Sequence, residues 1–103
     1  MPRPTIPRRI LFQTEVTFFK PAGIPLVGLE KVVLTFEEVE ALRLKEVEGK
    51  NQTKSAKEMG ISQPTFFRII SIARKKISDA IVNGKAIKVE GGNYYAKQNK
   101  SKK

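Results

Sequence analysis

The sequence predicts a mainly α-helical fold with a helix-turn-helix, preceded by a proline-rich segment that contains a short β-strand. Three observations predict it. Five of the six prolines lie in the first 34 residues, amphipathic segments follow, and Gly60 separates the last two of these segments. We therefore divide the 103 residues into four ranges. These are a basic, proline-rich arm (1–34), a helix-turn-helix domain (35–84), a short extended segment (85–92) and a disordered lysine-rich tail (93–103).

The arm is not expected to form a long helix, because proline cannot donate the backbone hydrogen bond that a helix interior needs. Within the arm, residues 16–20 are rich in β-branched and aromatic side chains, which predicts a short strand. The sequence leaves open whether Phe18 and Phe19 belong to the core or to an interface. Near the other end of the chain, Ile87–Glu90 alternates apolar and polar residues, which predicts a second short strand.

The segment after Thr35 predicts the first helix. Thr35 can cap the first backbone amides, and Glu38 three residues later can complete a capping box. Glu37 and Glu38 also favour the positive end of the helix dipole, so their position has an explanation other than catalysis. Phe36, Val39, Leu42 and Val47 fall near one face of this helix, which we expect to end near Gly49. The chain has no histidine or cysteine, and we predict no enzyme activity, metal site or cofactor.

Two further helices are predicted on either side of Gly60. Asn51 is the expected cap of the second helix, over about Gln52 to Met59, and Ser62 is the expected cap of the third. The third helix carries apolar residues at three- and four-residue steps and ends at Gly84. This core stripe comprises Phe66, Ile70, Ala73, Ile77 and Ala80, and Ile69 and Ile81 are expected to widen it.

The spacing around Gly60 favours a helix-turn-helix over an ordinary helical hairpin. Such a motif needs a small residue where its second helix crosses the first, and Ala56 stands there, four residues before Gly60. The turn needs a residue that tolerates positive φ, which glycine does. Apolar residues are needed on either side of the glycine and at two inward positions of the next helix. Met59, Ile61, Phe66 and Ile69 meet these requirements.

The net charge of +10 predicts a polyanionic partner, with nucleic acid as the first candidate and an anionic membrane surface as the second. Residues 35–48 carry a net charge of −3, whereas residues 49–83 and 84–103 each carry +5. The plainer alternative is that the lysines only aid solubility. Since the sequence has neither a run of about 18 apolar residues nor a signal peptide, we expect a cytoplasmic protein without a membrane partner.

The third helix presents a polar, basic face opposite its core stripe, and its first turns would enter the major groove. Arg68 can pair with O6 and N7 of guanine, and Gln63 with N6 and N7 of adenine. Phe67 either contacts a thymine methyl group or packs on the N-terminal segment. The predicted base contacts, for which a solvated helix face is the alternative, are Gln63, Thr65, Phe67, Arg68 and Ser71.

Residues around this face are predicted to contact phosphates, which positions a protein on DNA without reading its sequence. The predicted phosphate contacts are Lys50, Lys54, Lys57, Ser62, Arg74 and Lys75. Arg3, Arg8 and Arg9 form a candidate arm that reaches a groove or the DNA backbone. Pairing of Arg8 and Arg9 with acidic residues between positions 40 and 48 is an equally good alternative.

Two resemblances support this interpretation. Residues 34–44, followed by Ala56, the run Gly60-Ile61-Ser62 and the pair Ala73-Arg74, resemble the helix-turn-helix of region four of bacterial sigma factors and are similar to the LuxR-type DNA-binding domain. This resemblance covers about half of the chain. It implies a sigma-region-four-like fold in which the helix after Ser62 enters the major groove.

The second resemblance spans nearly the whole chain. It is to the uncharacterised family called domain of unknown function 134, whose members are described as predicted DNA-binding proteins. The matching motifs include Pro2-Arg3-Pro4, Arg8-Arg9-Ile10, the run from Phe19 to Pro25, the run from Glu40 to Leu44, Met59-Gly60-Ile61-Ser62, Arg68-Ile69, Ala73-Arg74-Lys75 and Gly84-Lys85-Ala86. Many relatives carry a cysteine just before the Arg-Arg pair, where this chain has Pro7, so a metal or redox role does not carry over.

We therefore expect sequence-specific binding of duplex DNA in transcriptional regulation. A single small reading helix covers few base pairs, which predicts a homodimer that reads two half-sites. Its expected contacts are exposed residues of the N-terminal strand and of residues 87–89. Two alternatives stay open. One is a module that contacts the transcription machinery through the acidic helix at 36–47, and the other is a non-specific nucleic-acid-binding protein that uses its basic ends.

Overall fold

Three α-helices and two small β-sheets make up the described part of the chain, which in this computed structural model comprises residues 8–10, 17–91 and 94–96. The strands are β1 (Arg8–Ile10), β2 (Phe18–Phe19), β3 (Lys31–Leu34), β4 (Ala86–Val89) and β5 (Tyr94–Ala96). The helices are α1 (Phe36–Leu42), α2 (Gln52–Met59) and α3 (Gln63–Asn83), with a 3₁₀ turn at Leu26–Gly28 and a π-helical turn at Arg43–Val47. The fold is mainly helical, as predicted, but it also contains a mixed sheet that the prediction lacked.

The three predicted helix starts are confirmed by their caps. The Thr35 hydroxyl accepts a hydrogen bond from the Glu38 amide at 3.2 Å, and the Glu38 carboxylate accepts one from the Thr35 amide at 2.9 Å. Asn51 caps α2 and Ser62 caps α3, each by accepting from the amide three residues later, at 2.8 and 3.3 Å. These bonds satisfy amides that have no partner within their own helix.

The first helix ends close to Gly49, as predicted, but its last turn is not α-helical. Its regular α-helical part ends at Leu42, and the chain continues in the π-helical turn, where the Glu48 amide donates to the Arg43 carbonyl five residues back at 2.8 Å. The wider turn shifts the following side chains around the helix axis. Leu44 is consequently buried, whereas Val47, which was predicted to lie near the apolar face, is 80% exposed.

The central strand of the three-stranded sheet is β4, which pairs antiparallel with β2 and parallel with β3. It begins one residue before the strand predicted at 87–90, and β2 covers part of the strand predicted at 16–20. The strand β3 was not predicted. Its four residues become a strand because β4, more than fifty residues later, supplies their backbone partners.

The position of β4 corrects the predicted dimer contact at residues 87–89. Both edges of this strand are occupied, so it cannot pair with a strand of another copy. Val89 is also buried, and Ile87 packs into the core. On the neighbouring edge strand, Phe18 is half-buried with the Lys88 ammonium 5.4 Å from its ring centroid, while Phe19 is exposed.

The strands β1 and β5 form a separate parallel pair, in which Arg8 lies opposite Tyr94 and Ile10 opposite Ala96. The prediction of disorder was therefore wrong for Tyr94–Ala96, because these residues pair with the backbone of β1. Local composition cannot predict a pairing with such a distant segment. The rest of that tail beyond residue 96, together with residue 93, lies outside the described residues. β1 itself lies against α1 and α2.

Two groups of buried side chains hold these elements together. The first lies between the three helices and contains Leu44, Met59 and Phe66, all fully buried. The second joins α1 and α3 to the sheet and contains Leu34 and Val89. Burying each such side chain stabilises the fold by about 1.5–3 kcal/mol. The core therefore fixes α3 on one side and leaves its other side open.

Candidate nucleic-acid interface

The turn between α2 and α3 is built on a left-handed glycine. Gly60 has φ 71° and ψ 33°, a conformation in which other residues are strained. Its amide donates to the Lys57 carbonyl at 3.0 Å, and the next amide, that of Ile61, donates to the Ala56 carbonyl at 3.0 Å. These bonds close α2, so that the Ser62 cap of α3 follows after a turn of only two residues.

The side chains around this turn take the positions that the sequence predicted for them. Four of the predicted residues are buried together in the first core group: Ala56, Met59, Phe66 and Ile69. Ile61 is half-buried and packs against this group. The small residue in α2 and the apolar residues of α3 thus fix the two helices against each other and determine which face of α3 points to solvent.

The solvent-facing side of α3 carries most of the predicted base contacts. Gln63, Phe67 and Arg68 are exposed, and Ser71 is half-buried one turn after Phe67. The Thr65 hydroxyl instead accepts a hydrogen bond from the Ser62 hydroxyl at 3.0 Å, so both groups belong to the helix cap. Four of the five predicted base contacts therefore lie together on this side of α3. The fifth, Thr65, is next to them but takes part in the helix cap.

Arg68, Lys75 and Lys54 are exposed cations whose charged groups form no hydrogen bond or ion pair with any of the described residues. Lys75 lowers the pKa of nearby Asp79, but hydrogen bonds from Lys85 and Asn83 lower that pKa more. A cation without a carboxylate partner can approach a phosphate or a base without first breaking an ion pair.

Lys50 and Arg74, two of the predicted phosphate contacts, already have carboxylate partners. The Lys50 ammonium lies 2.8 Å from a Glu58 carboxylate oxygen, and this hydrogen bond lowers the pKa of Glu58 below its ordinary value. Arg74 pairs with Glu46 of the π-helical turn, its Nε 2.8 Å from the carboxylate. Lys57 is exposed on α2. Among the predicted phosphate contacts, Lys54 and Lys75 are thus better placed than Lys50 and Arg74.

The acidic side chains of the first helix are engaged within the molecule. Glu38 lies 2.9 Å from the Lys76 ammonium on α3. Glu40, which is 1% exposed, receives two hydrogen bonds from the Arg43 guanidinium, at 3.0 and 2.9 Å, and these raise the pKa of Arg43. Glu48 pairs with the same guanidinium at 2.9 Å. The negative segment that suggested a partner surface therefore binds cations of its own chain.

The candidate arginine arm lies only partly within the described residues. The backbone of Arg8 and Arg9 forms β1, beside α1 and α2, but their side chains and all of Arg3 lie outside the described residues. Contact with DNA and pairing with acidic residues at 40–48 both stay predictions. Ile72, which the sequence did not indicate as part of this surface, is exposed on the same helix as Arg68. Ile81 is also exposed, which corrects the prediction that it widens the core stripe, since it lies on the outer side of the last turns of α3.

The fold and the site define a small, basic, mainly helical domain with a mixed sheet, whose longest helix carries an exposed basic face. The chain belongs to the family described as protein of unknown function DUF134, whose sequence model matches residues 1–97. The predicted family membership is thereby confirmed. In the described part of the chain, no helix is both long enough and apolar enough to cross a bilayer.

Several curated relatives are similar over most of this chain. A UPF0251 protein of Caldanaerobacter subterraneus subsp. tengcongensis is 61% identical over 94 residues, which cover 91% of this chain and 80% of the relative. A UPF0251 protein of Moorella thermoacetica is 59% identical over 95 residues, or 92% of this chain, but this chain spans only 64% of that relative. A UPF0251 protein of Thermoanaerobacter pseudethanolicus is 56% identical, with 91% and 80% covered. No solved structure matches the chain.

Proposed function

We propose that the chain binds duplex DNA in a sequence-specific manner and regulates transcription, with α2 and α3 acting as a helix-turn-helix similar to that of sigma factor region four. The observation that carries this proposal is the exposed face of α3. There Gln63 and Arg68, two side chains suited to base recognition, lie on the first turns of a helix whose opposite face packs into the core through Phe66, Ile70 and Ala73.

The dimensions of α3 suit a recognition helix. Its 21 residues extend for about 30 Å, and the major groove of B-DNA is about 12 Å wide, enough to admit a helix. Arg68 lies in the second turn, from which helices of this motif reach base edges. Because its guanidinium has no ion pair among the described residues, both of its donor edges are available for guanine.

Phosphate contacts would come from both helices. Lys54 near the start of α2 and Lys75 in the middle of α3 are both exposed. In the sequence they flank residues 63–71, the first turns of α3, which carry the proposed base contacts. In helix-turn-helix proteins the first helix crosses the DNA backbone while the second lies in the groove. Lys54 and Lys75 would thus fix the orientation of α3 without contributing to base recognition.

The carboxylate pairs favour this proposal over a protein-interaction module. Such a module was expected to use the acidic helix as its partner surface. Glu38, Glu40 and Glu48 instead bind Lys76 and Arg43, so a basic partner would first have to displace cations of the same chain. The exposed charge of α3 is positive, which favours a polyanion.

The test is selection from a randomised duplex pool at near-physiological salt, with three variants beside the original chain. We expect the original chain to enrich a motif and Arg68→Ala to lose it, because a bidentate contact contributes about 1–3 kcal/mol of discrimination. Lys54→Ala is expected to enrich the same motif with weaker binding. Lys31 is an exposed cation on β3, outside both helices. Lys31→Ala is therefore the matched control and should change neither the enriched motif nor the strength of binding.

Other outcomes would contradict the proposal in distinct ways. Binding without enrichment, equal in Arg68→Ala, would establish a non-specific nucleic-acid-binding protein. No binding at all would favour the protein-interaction module. A motif with two-fold symmetry, together with a sedimentation mass of two chains on DNA, would support the proposed homodimer, for which the exposed edge strand β2 is the remaining contact predicted from the sequence.

A further inference from the structure

We propose that Phe67 recognises the C5-methyl group of a pyrimidine in the major groove, thymine in unmodified DNA, and is thus a specificity-determining residue. This inference rests on the proposed function, because it assigns a ligand to one side chain of the same interface. It concerns a residue whose role the sequence left open between a base contact and packing on the N-terminal segment.

Two consecutive phenylalanines of α3 have opposite environments. Phe66 is fully buried in the first core group, whereas Phe67 is 54% exposed. A helix rotates by about 100° per residue, so neighbouring side chains point in different directions. Phe67 belongs to neither group of buried side chains and is not among the half-buried residues that pack against them. The described residues therefore do not explain a large apolar side chain at this position by packing.

The surroundings of Phe67 favour a nucleic acid over an apolar protein surface. Arg68 follows it directly, and Pro64 and Ser71 lie one turn before and after it on the exposed side of the helix. The only acidic residue of α3 is Asp79, three turns further on, and Lys85 binds it at 3.0 Å. An exposed aromatic ring beside a cation that has no carboxylate partner among the described residues suits a ligand that combines negative charge with a local apolar group.

A pyrimidine methyl group in the major groove is such a ligand. Thymine presents its C5-methyl group there beside the O4 acceptor, and cytosine lacks the methyl group. Phosphates on both sides of the groove supply the negative charge. Since consecutive Cα atoms lie 3.8 Å apart and base pairs about 3.4 Å, the methyl group should lie within about two base pairs of the guanine bound by Arg68.

The test replaces thymine by deoxyuridine, which removes only the C5-methyl group, at each thymine of the selected motif in turn. Binding of the original chain and of Phe67→Ala is then measured by fluorescence anisotropy. At one position close to the Arg68-dependent guanine, we expect deoxyuridine to weaken the original chain about fourfold, the factor that burial of one methyl-sized group gives. Phe67→Ala should bind both duplexes equally, and Phe67→Leu should recover part of the discrimination.

The matched control is Val82→Ala, an exposed apolar truncation about four turns further along α3, which should retain the full discrimination. A selected motif with no deoxyuridine effect near the guanine, or an effect that Phe67→Ala retains, would overturn this inference and leave the proposed function intact. Failure to enrich any motif would overturn both. A dimer that dissociates in Phe67→Ala while methyl discrimination is unchanged would assign Phe67 to a protein contact instead.

Discussion

The hydroxyl of Ser55 is a buried polar group without a hydrogen-bond partner among the described residues. It lies on α2 next to Ala56, on the side of the helix that packs into the core, and is fully buried. An unsatisfied buried hydroxyl costs about 1–3 kcal/mol. Serine is also a weaker helix former than alanine. Ser55 therefore lowers the free energy of unfolding relative to an apolar residue that would pack equally well at this position.

Replacing Ser55 by alanine is expected to raise the free energy of unfolding by about 1 kcal/mol, because it removes the unsatisfied hydroxyl and leaves the packing of the helix intact. Urea denaturation followed by circular dichroism measures the change. Ser78→Ala, an exposed serine on α3, is the control and should yield only the helix-propensity gain of about 0.5 kcal/mol or less. A loss of stability in Ser55→Ala would show that the hydroxyl has a partner.

Two ion pairs connect the helical elements in addition to the apolar core. Glu38 of α1 binds Lys76 of α3, and Glu46 of the π-helical turn binds Arg74 of α3. Both carboxylates precede α2 in the chain, and both cations lie on α3, so the pairs link α1 and its π-helical turn to α3. Both cations lie after the first three turns of α3, so these pairs leave Gln63, Phe67 and Arg68 exposed.

The pair of Glu40 and Arg43 yields a sharper prediction at this scale. Arg43→Met removes the guanidinium and leaves the Glu40 carboxylate buried without it, which we expect to lower the free energy of unfolding by about 3 kcal/mol. Glu48→Ala removes the exposed partner of the same guanidinium and should cost about 1 kcal/mol or less.

Chemical denaturation of both variants and of the double variant Glu40→Met/Arg43→Met provides the measurement. The double variant should recover much of the lost stability, because it removes the buried carboxylate together with the guanidinium. Equal losses in Arg43→Met and Glu48→Ala would contradict the assignment of the buried pair as the stronger interaction.

For the molecule as a whole, the charge pairs make stability depend on pH. A hydrogen bond from Lys50 lowers the pKa of Glu58 below its ordinary value of 4.5, and hydrogen bonds from Lys85 and Asn83 lower that of Asp79 below 3.8. A carboxyl group whose pKa is lower in the folded state stabilises the fold at pH values above its ordinary pKa. That contribution disappears as the pH falls through the folded-state value.

We therefore expect the free energy of unfolding to be nearly constant from about pH 6 to 8 and to fall below about pH 4.5. Urea denaturation across this range measures the profile. In Lys50→Met the pKa of Glu58 returns toward its ordinary value, so the acid limb should become shallower. Lys31→Met, an exposed lysine with no ion pair among the described residues, is the control. An acid limb of unchanged slope in Lys50→Met would refute the role of this pair.

The amino-acid sequence was sufficient to predict the features that depend on residues within about one helical turn of each other. Thr35, Asn51 and Ser62 cap their helices as predicted, because a cap needs only the amides two or three residues later. The left-handed turn at Gly60 and the buried stripe of α3 likewise follow from local spacing, and they determine that Arg68 and Phe67 are exposed.

Features whose partners are distant in the chain could not be predicted from local sequence, because they depend on tertiary contacts. β3 is a strand because its backbone pairs with β4. β5 is likewise a strand because its backbone pairs with β1. The same holds for the candidate site. The sequence assigned Arg68 to base contacts and Arg74 to phosphate contacts, both as available cations, but packing brings Glu46 to Arg74 and no described carboxylate to Arg68. Net charge and hydrophobic periodicity are properties of positions along the chain. The ion pairs that distinguish these cations depend instead on which distant residues the fold brings together.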